Sequence, residues 1–212
     1  MRHIPHLVVG APWEGPTIAL SVVQWRHVTK VLRLRSGAEV SYTDGLGTLG
    51  SGVLQRQAIE RGEETIVERP PNLTVACAPP ANKDRQRFLV EKLAELGVSR
   101  LIWLDTALGQ GHVASPSKVF SWVLAAVEQS RGAHLMETSS GGIRLGDLEG
   151  DLVVCHPGGE SNPGNADVVA IGPEGGFNEG EIPDTARLWD LGPTVLRVET
   201  AALVAAARLI AR

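Results

Sequence analysis

Two glycine-rich turns in the last quarter of the chain are the segments best suited to hold a small ligand. The first turn, 171–177, reads Ile-Gly-Pro-Glu-Gly-Gly-Phe and ends an apolar run, 168–171, that is typical of a buried strand. The second begins Leu-Gly-Pro at 191–193 and continues through a strand-like run, 195–198, into an alanine-rich helix. Because glycine lets the backbone approach a ligand without a Cβ in the way, these turns predict a backbone-lined pocket for an adenine-type ligand. Neither turn fits the dinucleotide fingerprint or the phosphate loop.

Three charged residues in or beside these turns could carry chemistry. Glu174 could act on a substrate, or it could hold its own loop through backbone N–H groups. Glu199 could take a direct part in the chemistry, or it could simply stabilise the last helix through the dipole at the helix N-terminus. Arg197 could bind a phosphate or stabilise a developing negative charge, since a guanidinium stays charged and presents several donors. Its alternative is an ion pair with a neighbouring carboxylate.

The pattern of predicted secondary structure, which must position these residues, changes near residue 70. A chain of 212 residues is one large domain or two small ones, and the paired prolines at 70–71 are the predicted boundary. Before them, short alternating strands such as 40–43, with one helical stretch around 25–32, predict a small β-barrel.

After the boundary, strands and helices alternate, which predicts a parallel sheet with helices on both faces. The predicted strands are 73–78, 100–104, 152–155 and 168–171. The predicted helices are 84–96, 116–131 and a final helix from about 200. Phe88 and Leu96 are predicted on the apolar side of the first of these helices, and Phe120 on the apolar side of the second. Asn178 and Glu181 look like a helix start, although Pro183 would interrupt that helix.

Composition limits the classes of function. A net charge of −4 argues against a general nucleic-acid binder but permits a local basic face. Two cysteines, Cys77 and Cys155, end apolar strands, which is typical of buried thiols in a reduced cytoplasmic protein. The six histidines show no ligand spacing, so no metal is predicted. No apolar run reaches the ~18 residues of a membrane span, and the N-terminus lacks an apolar signal core.

The two turns resemble the signatures of the RsmE family, methyltransferases that act on uridine N3 in small-subunit (16S) ribosomal RNA. The family's Ile-Gly-Pro-Glu-Gly-Gly turn matches without a break, and its Leu-Gly-x-Arg-x-Leu-Arg-x-Glu-Thr-Ala turn matches except that its first arginine is Thr194. The likeness extends to Lys-x-x-Glu-Leu-Gly-Val at 92–98, Glu-Gln-Ser at 128–130, and the Val-Leu-Arg and Asp-Gly patterns at 31–33 and 44–45. The resemblance therefore covers nearly the whole chain.

The resemblance implies an α/β protein with an N-terminal PUA-like, RNA-binding β-barrel at 1–69 and a SPOUT methyltransferase domain at 72–212 that ends in a trefoil knot. It also implies a cytoplasmic homodimer, S-adenosyl-L-methionine as cofactor, and a role in ribosome biogenesis. The cofactor would lie against both turns, with the loop at 156–159 as a third wall or as a simple connection. The implied cofactor contacts are His156, Ile171, Gly172, Pro173, Glu174, Gly175, Gly176, Leu191, Gly192 and Leu196.

The implied catalytic residues are Arg197, Glu174 and Glu199, because uridine N3 must lose a proton when it accepts a methyl group. The implied RNA contacts form two basic groups, one of which lies in the N-terminal part near Trp25 and Arg35. These contacts are Arg26, Lys30, Arg33, Lys83, Arg85 and Arg87.

The chain departs from the family mainly at groups expected to face RNA. The segment 105–110 has no arginine where the family usually carries one, Thr194 replaces another, and Glu-Gln-Ser is followed by Arg-Gly in place of Gly-Arg. An alternative is therefore a divergent protein that binds cofactor and RNA but methylates another site or is inactive. A second alternative is an unrelated nucleotide-binding α/β enzyme that prefers ATP or NAD.

Overall fold

The computed structural model describes residues 4–211, which form two compact units: 4–69 with 127–135, and 70–126 with 136–211. Residues 1–3 and 212, at the ends of the predicted domain ranges, lie outside the described residues. The predicted mixed α/β class is confirmed, with one sheet in each unit. The trefoil knot stays a prediction.

The first unit contains a curled five-stranded sheet with the strand order β1-β3-β4-β5-β2. Only β1 and β3 pair in parallel, and the other neighbours are antiparallel. Its strands are β1 His6–Val8, β2 Thr17–Ala19, β3 Glu39–Thr43, β4 Thr48–Gln55 and β5 Ala58–Ile66. Its helix α1, Val22–Arg26, continues as a wider π-helical turn, His27–Val31, so the helical stretch begins three residues before the predicted start.

The core of the first unit packs around Tyr42, which is fully buried. A Cβ on Gly50 would lie 2.3 Å from the Tyr42 ring, so only glycine leaves room for that ring on the neighbouring strand. The Tyr42 hydroxyl donates to Glu64 Oε1 at 2.7 Å, and Glu64 also forms an ion pair with Arg61. Burial, together with this acceptor, raises the pKa of Tyr42 to about 12.

The second unit contains a six-stranded, all-parallel sheet with the order β11-β9-β10-β6-β7-β8. Its strands are β6 Thr74–Cys77, β7 Arg100–Leu104, β8 Glu137–Ile143, β9 Leu152–Glu160, β10 Val168–Ile171 and β11 Arg187–Trp189. Its helices are α2 Lys83–Glu95, α3 Pro116–Ser130 and α4 Val198–Ile210, with a 3-10 turn at Leu145–Asp147. The residues of α3 from Val127 onward group with the first unit.

The predicted strands and long helices of this part of the chain are confirmed to within a few residues. Asn82 caps α2, because its side-chain oxygen accepts from the N–H groups of Asp84 and Arg85. Strand β10 is buried along its whole length, as its unbroken apolar run predicts. Three aromatic or aliphatic side chains predicted to face the core are instead exposed: Phe88, Leu96 and Phe120.

Three local predictions are wrong. The run 195–198 is not a strand: Val195 is 91% exposed, and α4 begins at Val198. No helix forms between β10 and β11, where Asn178 and Glu181 instead close a turn and the following proline prevents helical continuation. The predicted loop at 156–159 is part of β9, which continues to Glu160 through an irregularity.

Candidate active site

A cavity of about 1160 Å³ opens at the carboxyl edge of the parallel sheet. Its walls come from the segments that follow β10 and β11, from the middle of β9, and from the starts of α2 and α4. In a parallel sheet the carboxyl ends of all strands meet at one edge, so loops that are distant in sequence converge there. The structure brings all ten predicted cofactor contacts to this cavity: His156, Ile171, Gly172, Pro173, Glu174, Gly175, Gly176, Leu191, Gly192 and Leu196.

The first turn is compact and leaves its backbone open toward the cavity. Its bend closes with the Gly176 N–H donating to the Pro173 carbonyl at 2.8 Å. Gly176 has a φ of +76°, and no atom lies within 4 Å of the place where its Cβ would stand. A Cβ on Gly175 would lie 3.4 Å from the side chain of Leu108, so the segment after β7 packs against the same turn.

Strand β9 contributes the third wall through a bulge. Leu188 of β11 lies opposite Val154, but the next residue, Trp189, lies opposite Glu160. The residues between, 155–159, therefore have no partner in this ladder, and the first three of them line the cavity. Gly159 passes so close to β11 that its Cβ would be 2.5 Å from the carbonyl carbon of Leu188.

Asp190 joins this bulge to the second turn. Its carboxylate accepts from the Gly192 N–H at 2.8 Å and from the Gly158 N–H at 3.2 Å. These two backbone hydrogen bonds hold the pKa of Asp190 below its ordinary value. Sequence reasoning missed this residue, although an aspartate two positions before a glycine is a recognisable turn signal.

A three-residue charge cluster adjoins the cavity, which two of its members, Arg85 and Glu174, line. Arg85 Nε donates to Glu199 Oε1 at 2.8 Å, and Arg85 Nη1 donates to Glu174 Oε1 at 3.2 Å. Glu199 is only 8% exposed, whereas the Glu174 side chain is 68% exposed. The pKa of Arg85 is raised, first by its hydrogen bond to Glu199.

Arg197 lies at the N-cap of α4 and lines the cavity, but its side chain caps no backbone group. It is exposed, and within residues 4–211 it forms no ion pair. Of the two alternatives for Arg197, the structure therefore shows a free guanidinium. Thr194, at the position of a family arginine, is exposed beside it.

The six predicted RNA contacts separate into different environments. Arg26, Lys30 and Arg33 are exposed in the first unit, around α1 and the π-helical turn that follows it. In the second unit Lys83 is exposed, and Arg87 pairs with Glu91 on its own helix. Arg85 differs from both neighbours because it points into the cavity.

The two cysteines are free thiols. Cys77 is buried, as predicted, and burial raises its pKa. Cys155 is only partly buried and lines the cavity, and burial raises its pKa to about 12. Among the residues with described positions, no group of three histidine, cysteine or acidic side chains could hold a metal ion. The same residues include no helix long and apolar enough to cross a membrane.

Solved structures with the same fold cover almost the whole chain. A candidate methyltransferase of Legionella pneumophila, solved with S-adenosylmethionine, is 23% identical, with a TM-score of 0.83 and coverage of 99% of this chain and 98% of that one. The ribosomal RNA small subunit methyltransferase E of Neisseria gonorrhoeae, also bound to S-adenosylmethionine, is 24% identical, with a TM-score of 0.82 and coverage of 98% and 97%. A candidate rRNA methyltransferase of Porphyromonas gingivalis is 22% identical, with a TM-score of 0.83 and coverage of 98% and 99%.

The family model for the RNA methyltransferase domain matches residues 67–141 and 151–210. The chain therefore belongs to this family of RNA methyltransferases, and the resemblance indicated by its two turns is confirmed. A comparison with curated proteins finds no match.

Proposed function

We propose that this protein transfers a methyl group from S-adenosyl-L-methionine to uridine N3 in 16S ribosomal RNA. The observation that carries the proposal is the cavity itself, which is built from the two signature turns in a chain that belongs to an RNA methyltransferase family. The cavity volume of about 1160 Å³ is ample for a nucleoside-sized cofactor.

The residues present fit such a cofactor. Gly176 and Gly192 line the cavity, have φ values of +76° and +134°, and have open space where a Cβ would stand. A flat adenine and its ribose can therefore reach the main chain at both turns. We assign contact with the cofactor to these turns and to the β9 bulge at His156. When bound, the cofactor supplies an electrophilic methyl group on a sulfonium.

The remaining requirements fall to side chains at the cavity wall. Uridine N3 has to lose its proton as it accepts the methyl group, so the site needs a proton acceptor and a cation near the uracil oxygens. Glu174 offers an exposed carboxylate for the first role. Arg197 offers an exposed guanidinium with no ionic partner in the described part of the chain for the second. Holding both against the acceptor nitrogen is largely a matter of orientation.

We assign RNA positioning to the N-terminal domain at 1–69 and catalysis to the domain at 72–212. Three exposed basic residues around α1, Arg26, Lys30 and Arg33, are suited to phosphate contacts, which fix orientation without reading sequence. Lys83 and Arg87 extend the same role to the second unit. A cytoplasmic homodimer that acts in ribosome biogenesis is part of the same proposal.

The test is transfer of labelled methyl groups from S-adenosylmethionine to small ribosomal subunits that lack 3-methyluridine, followed by nucleoside analysis. Label in 3-methyluridine supports the proposal, and label in another nucleoside shows a shifted target. Cofactor binding without any transfer would favour the alternative of an inactive, RNA-binding relative, which the missing arginines at 105–110 and 194 motivate. Tighter binding of ATP or NAD would favour an unrelated nucleotide enzyme.

Gly175→Val tests the placement of the cofactor. A valine side chain would fill the space between this turn and Leu108, which is already only 3.4 Å from the Cβ position. We expect cofactor affinity, measured by calorimetry, to fall at least tenfold, about 1.4 kcal/mol or more. Gly141→Val is the matched control, because no atom lies within 4 Å of its Cβ position on β8. Equal affinity in both variants would place the cofactor elsewhere.

A further inference from the structure

The charge cluster of Arg85, Glu174 and Glu199 divides the two candidate acids into different roles. Glu199 is 8% exposed, and its Oε2 atom is buried without a hydrogen-bond partner among the described residues. Its other oxygen is held by Arg85. A substrate base cannot reach a carboxylate enclosed in this way, so Glu199 is not available to take a proton from RNA.

Glu174 has the opposite environment. It lies within the first signature turn, and most of its side chain is open to the cavity and solvent. Oε1 accepts from Arg85, whereas no partner of Oε2 is found in residues 4–211. Glu174 therefore presents one fixed oxygen and one oxygen that is free to accept a proton.

Arg85 connects the two carboxylates. It stands in the first turn of α2, which Asn82 caps, and its side chain is 29% exposed. Planar guanidinium groups hold carboxylates in a fixed geometry, and a buried partner makes that geometry more rigid. The two hydrogen bonds of Arg85, one to buried Glu199 and one to exposed Glu174, therefore hold the Glu174 carboxylate in a fixed position at the cavity.

We propose that Glu174 accepts the uridine N3 proton and that Arg85, anchored by Glu199, is the positioning residue for its carboxylate. The proposal rests on the proposed function. In the step, the N3–H bond breaks and its proton passes to Glu174. The nitrogen electron pair forms the new N3–carbon bond, and the electron pair of the carbon–sulfur bond stays with the sulfur.

The charge balance of the cluster agrees with this role. Two carboxylates and one guanidinium carry one net negative charge, and uptake of the proton makes the cluster neutral. The same count argues against Arg85 as a phosphate contact, since an RNA phosphate would meet a site whose positive charge is already matched. This differs from the role that the sequence assigns to Arg85 beside Lys83 and Arg87.

The experiment is a double-mutant cycle on methyl transfer to small ribosomal subunits that lack the modification. Glu174→Gln should lower kcat roughly 100-fold, the lower end of what general base catalysis contributes. Arg85→Gln should lower kcat roughly tenfold or more, with KM for the subunit and the cofactor Kd within about threefold of wild type. The double variant should be no slower than Glu174→Gln alone, because Arg85 acts only through Glu174.

Two further variants complete the test. Arg85→Lys should retain part of the lost kcat, since lysine keeps the charge but lacks the planar fork whose separate nitrogens bond to the two carboxylates. It serves as the test variant if Arg85→Gln fails to fold. Arg144→Gln is the control variant. Arg144 is an exposed arginine that forms an ion pair with Asp147 and, within residues 4–211, has no contact with the charge cluster, so its loss should leave kcat unchanged.

Other results would overturn the inference. Losses that multiply in the double variant would show that Arg85 and Glu174 act independently. A raised KM with unchanged kcat in Arg85→Gln would show that Arg85 contacts RNA. A wild-type protein that forms no 3-methyluridine would contradict the proposed function itself, which separates that failure from a failure of the positioning role.

Discussion

Gln86→Leu would separate two segments that one buried side chain holds together. Gln86 lies in the first half of α2 and is fully buried. Its amide nitrogen donates to the carbonyls of Pro80 and His112 at 2.6 and 2.9 Å, and its oxygen accepts from the Ala114 N–H at 3.2 Å. One side chain thus joins the loop before α2 to the segment after β7.

The expected cost follows from these three hydrogen bonds. Leucine has nearly the same helix propensity as glutamine, so the helix itself is little affected. Each buried backbone group left without a partner costs about 1–3 kcal/mol, and burial of the leucine side chain offsets about 2 kcal/mol. Because His112 is exposed, water can satisfy part of the loss. We expect a net loss of about 3 kcal/mol, a large part of the roughly 5–15 kcal/mol available to a folded domain.

Urea unfolding measures this loss directly, with the same slope expected for wild type and variant. Gln110→Leu is the matched control, since it makes the same change at an exposed position of the same segment, and it should shift stability by less than about 0.5 kcal/mol. A loss below about 1 kcal/mol in Gln86→Leu would refute the reasoning, because it would mean that the three hydrogen bonds are replaced at no cost. Cofactor affinity should also fall, since Leu108 of this segment packs against the first turn.

Three further changes test other parts of the structure. Gly159→Ala should cost about 1–3 kcal/mol and weaken cofactor binding, because its Cβ would meet the backbone of β11 at 2.5 Å, whereas Gly146→Ala, with open space, should change the melting temperature little. In the folded protein the pKa of Tyr42 is about 12, above its ordinary 10.0. Its contribution to the free energy of unfolding is therefore complete below about pH 10 and is lost as the pH rises toward about 12. Tyr42→Phe should remove that alkaline loss and cost about 2 kcal/mol at neutral pH, both measurable by urea unfolding at about pH 8 and pH 11. Asp190→Asn should weaken cofactor binding several-fold at neutral pH, as measured by calorimetry. The affinity of the wild type should stay constant down to about pH 4, because the lowered pKa of Asp190 keeps its carboxylate ionised until the pH falls through that pKa.

Features of the fold that depend on local pattern could be predicted from the sequence. The alternation of strands and helices after residue 70 indicated a parallel sheet, and the signature turns indicated where its ligand cavity lies. Gly176 and Gly192 were informative because their positive φ values are a local property that does not depend on distant contacts. Both line the cavity.

Features that depend on distant contacts could not be predicted. Arg85 and Glu199 are 114 positions apart, and in sequence Arg85 looks like one member of a basic group expected to contact RNA. The β9 bulge depends on where β11 pairs, which no local pattern shows. The run at 195–198 has the composition of a strand, but it passes the open cavity, where no neighbouring strand is available to pair with it.

Three of the segments that form the cavity walls, near 155, 172 and 192, meet only where β9, β10 and β11 lie side by side. Parallel pairing of this kind closes long stretches of chain and is slow to form, so an unfolded or half-folded molecule offers the cofactor nothing to bind. A ligand that binds only the native state at a hundred times its Kd adds about 2.7 kcal/mol to that state. We therefore expect the lifetime of this protein in the cell to follow the supply of its methyl donor, with scarcity leading to turnover by proteases before any change in RNA methylation is seen.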